Sequence, residues 1–139
     1  MEILEMPGHV IRRLNQMSTQ VFAARMQAEG EDLTPVQFAA LNAIRANPGL
    51  DQAGIAALIA YDRATIGGVI ERLLQKGYVD RAVSDRDRRA RVITLTDTGD
   101  TAHARILPLV ADLQADILSS LTPDERAQFM TLARKALDR

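Results

Sequence analysis

Between Gln75 and Gly99 the chain changes its hydrophobic period twice in twenty-five residues, and few folds accommodate that. A helical pattern runs into Gly77, Tyr78 and Val79 begin a short extended run, and Val92-Ile93-Thr94-Leu95-Thr96, rich in β-branched residues, reads as a returning strand. Between the strands lies Ser84-Asp85-Arg86-Asp87-Arg88-Arg89. A hairpin with a charged tip, set directly after two short helical segments, predicts a winged helix-turn-helix. Such a frame holds one helix in a DNA groove while an arginine reaches a neighbouring groove.

The segments on either side support that reading. Pro7 to about Ala28 is helical by the recurrence of Val10, Leu14, Met17 and Val21, and Gly30-Glu31-Asp32 breaks it. Thr34-Pro35 gives an N-cap and a proline at the first helical position, starting a helix that stops at Asn47-Pro48-Gly49. Asp51 caps a short helix from Gln52 to Ile59, and Asp62 caps another through Gln75 that ends on Gly77 as a left-handed cap. Beyond the hairpin, Thr96-Asp97 opens a long helix carrying Ile106, Val110, Leu113 and Ile117, with Pro108 expected to kink it. Thr122-Pro123-Asp124-Glu125 is a capping box leading a last helix that presents Phe129, Leu132, Ala133 and Ala136.

The expected fold is therefore mainly α with a small β-hairpin. Residues 33–98 would form the winged helix-turn-helix, and residues 1–30 with 99–139 would supply dimerisation helices around it, the whole of 1–139 being a single domain. Those terminal helices carry more apolar residues than a small wing module needs. A second copy about a two-fold axis covers them most economically, the alternative being a monomeric bundle. Paired copies would place two recognition helices about 34 Å apart, the spacing of a palindromic operator in double-stranded DNA.

Charge agrees once its distribution is considered. The net formal charge is −1, but from Arg63 to Arg91 eight cations face four anions, so this stretch holds +4 and the remainder −5. An acidic body with a basic edge is steered to a polyanion by the edge. Cysteine is absent, which removes disulfides and thiolate metal sites. No apolar run approaches the roughly 18 residues of a membrane span and no secretory pattern opens the chain, so a cytoplasmic location without membrane attachment is expected. The two histidines, His9 and His103, are far apart, and neither has a neighbouring nucleophile or ligand set. No metal, cofactor or enzymatic activity is expected.

Asp62-Arg63-Ala64-Thr65-Ile66-Gly67-Gly68-Val69-Ile70-Glu71-Arg72-Leu73, then Lys76-Gly77-Tyr78-Val79-Asp80-Arg81, Asp87-Arg88-Arg89-Ala90-Arg91 and Leu95-Thr96-Asp97-Thr98-Gly99 together resemble the MarR family of bacterial transcriptional regulators. The resemblance covers nearly the whole chain, and its most specific element is the Asp-x-Arg of the wing, Asp87 and Arg89. It departs from the usual wing at Ser84-Asp85, where an aspartate and a proline are common, which suggests a more mobile loop. The resemblance implies a homodimeric DNA-binding repressor. A winged helix that docks protein instead would show an apolar recognition surface.

On the helix after Asp62, Ile66, Ile70 and Leu73 form the packing stripe, leaving Arg63, Thr65, Gly67, Gly68, Glu71 and Arg72 toward water or DNA. Arg63 and Thr65, near the helix start, are candidate base or phosphate contacts. Arg72 is either another or a plain surface residue. The Gly67-Gly68 pair serves either close approach to the groove or tight packing on a neighbouring helix. Arg89 is the candidate for the minor groove, with Asp87 on the same side of a strand-like segment holding its guanidinium and with Arg86 and Arg88 left for phosphates.

For an effector, relatives imply small aromatic carboxylates or phenols bound between the dimer helices and the DNA module. His9, Arg12, Arg13 and Gln16 share a helix face opposite the Val10 stripe and could clamp a carboxylate; a solvated face or inter-subunit salt bridges explain them equally. The His-x-x-Arg-Arg start resembles the subgroup that regulates aromatic-acid breakdown. Tyr61 is a candidate to couple that pocket to DNA.

Overall fold

The computed structural model describes residues 1–138; Arg139, at the end of the expected C-terminal arm, lies outside them. A 3₁₀ turn (Ile3–Glu5) precedes α1 (Pro7–Ala28), α2 (Pro35–Ala46), α3 (Gln52–Leu58), α4 (Arg63–Gln75), β1 (Val79–Val83), β2 (Arg91–Leu95), α5 (Asp97–Ile117) and α6 (Pro123–Leu137).

Local chemistry sets these boundaries. Thr34 accepts the Gln37 N–H at 3.2 Å while the Gln37 side chain accepts the Thr34 N–H, a reciprocal cap that Thr122 and Glu125 repeat at the start of α6. Asp51 caps α3 through the Gly54 N–H at 2.7 Å. The axes of α3 and α4 bend by 110° at the turn between them, within the range of helix-turn-helix pairs. Ala60 makes that turn in the left-handed region, φ +59°, where a side chain costs about 1 kcal/mol.

The hairpin pairs Val79 with Leu95, Arg81 with Ile93 and Val83 with Arg91. A bridge from Asp51 to Val92 and a bond from the Ile93 N–H to the Leu50 carbonyl stitch the wing root to the start of α3. The Leu-Thr-x-x-Gly run has a packing reason. Thr96 caps α5 and donates its hydroxyl to the Gly77 carbonyl at 2.6 Å, while a Cβ on Gly99 would fall 2.0 Å from the Tyr78 carbonyl oxygen. Only glycine lets the start of α5 sit on the turn that ends α4.

Leu41 and Ile44 of α2, Ile55 of α3, Ile66, Ile70 and Leu73 of α4, Ile93 of β2, and Ile106 and Leu113 of α5 form one buried cluster. From α1 it is Phe22 and Met26 that join this core, while Val10 and Met17 of the expected stripe remain exposed. The periodicity identifies the helix but not the face that meets its own chain. α5 continues as one helix through Pro108, and α6 has no buried residue. Among the described residues no single helix is long and apolar enough to cross a membrane.

His103, unremarkable in the sequence, lies at the joint of α2 and α5. It is 2% exposed, stacks on Phe38 with ring centroids 5.7 Å apart, and Nε2 lies 2.9 Å from Asn42 Oδ1, so that nitrogen carries the proton. Burial lowers its pKa, the Arg45 cation lowers it further, and Asp100 opposes them. A depressed folded value means the stabilisation is complete above the unfolded pKa of about 6.5 and is lost as pH falls through the folded one. Melting temperature is therefore expected to decline from pH 7 to 5, and His103→Gln should flatten that slope in a calorimetric series.

Candidate nucleic-acid interface

The outer side of α4 is bare. Arg63, Thr65, Gly68, Glu71 and Arg72 are exposed and Gly67 is half-buried, while Ile66, Val69, Ile70 and Leu73 face inward. Asp62 fixes the helix start, accepting the Thr65 N–H at 2.7 Å and its hydroxyl at 3.1 Å. The Thr65 N–H and then its hydroxyl hold the Asp62 carboxyl below the usual carboxylate range. This cap is thus present above about pH 4 and is lost as pH falls through the lowered folded value.

The glycine pair is not explained by packing within the chain. A Cβ on Gly68 would meet nothing within 4 Å, and one on Gly67 would lie 3.5 Å from Gln52 Nε2, an ordinary contact. Arg72 donates to Gln75 Oε1 at 3.5 Å, and Glu71 accepts from Arg81 at 2.7 Å, tying α4 to β1.

At the wing, the side chain of Arg89 is 93% exposed, and Asp87 Oδ1 accepts both its backbone N–H at 3.0 Å and its Nε–H at 3.4 Å. Strand alternation does not bring the two together, contrary to expectation. The Ala90 N–H closes a turn onto the Asp87 carbonyl at 3.0 Å, and the aspartate bonds the N–H two residues on. Arg86 and Arg88 are exposed on the same tip.

A cleft gathers Arg63 from the start of α4 with Asp87, Arg89 and Arg91 from the wing, Gln52 from α3 and its cap Asp51. Arg91 lies in the basic stretch of the wing without a role assigned to it, and nothing in the sequence around Gln52 marks it. Their membership follows from the bridge that draws β2 against α3, a non-local contact with no motif.

The α1 set is less closely knit. Arg12 and His9 Nδ1 lie 3.2 Å apart, with Arg12, Arg13 and Gln16 exposed and His9 half-buried. Helical steps place this set about 120° around from the Val10 stripe rather than opposite it. Tyr61 is exposed in the α3–α4 turn, and no hydrogen bond joins it to the α1 set among the described residues.

A bent pair of short helices, a hairpin with an exposed arginine and an arginine-lined cleft between them define a winged helix-turn-helix protein. The model of the MarR family matches residues 31–90. The chain is 31% identical over 137 residues to the HTH-type transcriptional repressor NicR of Pseudomonas putida, covering 99% of this chain and 85% of that one. Its fold matches Bordetella bronchiseptica BpsR, whose DNA binding is regulated by 6-hydroxynicotinic acid, with TM-score 0.91, 29% identity and coverage of 100% and 98%. It also matches a MarR variant from Escherichia coli complexed with operator DNA, with TM-score 0.84, 27% identity and coverage of 94% and 92%. The chain belongs to the MarR family.

Proposed function

We propose that this protein is a cytoplasmic, homodimeric transcriptional repressor that binds a palindromic operator and is released from it by a small aromatic carboxylate. The observation that carries the DNA half is the exposed Arg89 held by Asp87 beside the uncovered face of α4. Residues 33–98 act as the DNA-binding module and residues 1–30 with 99–138 as the dimer arms. Arg63, Thr65 and Arg72 meet base edges or phosphates from α4, Arg86 and Arg88 meet phosphates, and Arg89 enters the minor groove.

Gly67 and Gly68 let the α4 backbone approach the groove. Since open space surrounds a Cβ at Gly68, Gly68→Ala should raise stability by about 0.5–1 kcal/mol while weakening operator binding. Calorimetric melting and a gel-shift titration read the two effects; a variant that gains stability and binds DNA as well as the parent removes the groove role.

The effector half is supported by likeness to NicR and to BpsR with its hydroxynicotinic acid. Arg12 and Arg13 supply guanidiniums for a carboxylate, His9 and Gln16 bond ring substituents, and Tyr61 couples effector binding to the α3–α4 turn. Isothermal titration with benzoate, hydroxybenzoates and 6-hydroxynicotinate should give binding heat for at least one acid, and that acid should release operator. Loss of that heat in Arg13→Ala is expected. Silence across the panel, or equal binding by the variant, contradicts the assignment.

A further inference from the structure

The β-ladder ends at Val83 and Arg91, so residues 84–90 must be held by something other than strand pairing. No proline stiffens this loop: the prolines that flank it in sequence are Pro48 and Pro108. An unorganised loop of this length would present Arg89 in many orientations, and each would have to be given up on binding.

Bonds converge instead on Ser84. Its Oγ accepts the Arg86 N–H at 3.2 Å and the Asp87 N–H at 3.4 Å, and its own N–H donates to the Ala90 carbonyl at 3.1 Å. Asp87, fixed in this way, is the residue that accepts both Arg89 donors. From the far side of the loop Arg91 Nη1 donates to the Arg88 carbonyl at 3.1 Å. The arginines and Asp87 are exposed, whereas Ser84 is half-buried at the root of the tip.

We infer that Ser84 is a positioning residue for DNA binding: its hydroxyl orients Asp87, and through Asp87 it pre-aims Arg89. The hydroxyl touches no DNA itself. It supplies by hydrogen bonding the rigidity a proline would supply by its ring, as serine does in side-chain-mediated turns. The inference rests on the reading of the wing as a DNA contact.

The test is a double-mutant cycle on the full chain with an operator duplex, read by fluorescence anisotropy at several salt concentrations. Ser84→Ala should weaken binding about three- to tenfold, the range of one or two hydrogen bonds, and should make the salt dependence shallower as Arg89 disengages. Ser84→Thr, which keeps the hydroxyl, should restore both. In an Arg89→Ala background Ser84→Ala should add nothing, because the group it aims is gone. Melting temperature should stay at the parent value, since the tip carries no core residue.

Parental affinity in Ser84→Ala while Arg89→Ala is impaired overturns the positioning role alone. That role also fails if the two losses add fully, or if Ser84→Thr binds no better than Ser84→Ala. Parental affinity in Arg89→Ala overturns the wing reading itself, and the Ser84 role with it.

Discussion

Arg89→Ala is expected to weaken operator binding by roughly ten- to a hundredfold and to reduce the slope of log affinity against log salt by about one unit. The guanidinium stands almost wholly in solvent, joined among the described residues only to Asp87, so its removal leaves no hole in the fold. Melting should not change. The negative potential of a narrow minor groove rewards an arginine more than a lysine, so Arg89→Lys should recover only part of the loss. A gel-shift titration at three salt concentrations reads affinity and slope together. Parental affinity at all three would remove the wing from the interface.

Breaking the dimer should cost more. Ile11 on α1 and Leu132 on α6 are each 64% exposed, on helices that bury little or nothing against their own chain. The proposed two-fold partner covers them. Ile11→Asp with Leu132→Asp would bury four unpaired carboxylates in that contact, two from each copy, which is unfavourable enough to separate the copies. Sedimentation velocity should then show a monomer. Operator affinity should fall by roughly a hundred- to ten-thousandfold, because the second half-site is no longer held at high effective concentration by the first. The core cluster lies elsewhere and should leave the separated chain folded. A double variant that sediments as the parent does would place the copies' contact on another surface.

The elements that local chemistry dictates are legible in the sequence. Thr34-Pro35, Thr122 with Glu125, Asp62 and Gly77 each satisfy or terminate a helix end through groups within a few residues, and the helices begin and end there. The hairpin is equally plain, since β-branched runs on either side of a charged tip leave few alternatives. What escapes are choices made between distant parts of the chain. Val10, Leu14, Met17 and Val21 are spaced as a core stripe is, yet of these only Val21 packs against the core among the described residues, and the buried residues of α1 are Phe22 and Met26. Spacing does not say which of two apolar faces finds a partner within the chain.

The candidate interface divides in the same way. Arg63, Arg86, Arg88, Arg89 and Arg91 stand out because charge concentrates there, whereas Gln52 enters the cleft through the bridge of β2 to Asp51. Asp87 and Arg89 do pair, but not by strand alternation. An aspartate that bonds the N–H two residues on makes a turn, and that preference prevails over alternation at a hairpin tip. Ser84 stands in the sequence as a departure that loosens the wing; its hydroxyl bonds become visible only with the loop's path.

The proposed operator recognition depends on paired copies presenting α4 and the wing to a duplex at matched spacing. Selection of bound duplexes from a random-sequence library tests this without requiring the regulated genes to be identified. The predicted result is an enriched inverted repeat with half-site centres about 10 base pairs apart, one turn of the helix. Enrichment of a single unrepeated site, or of no sequence at all, would contradict it.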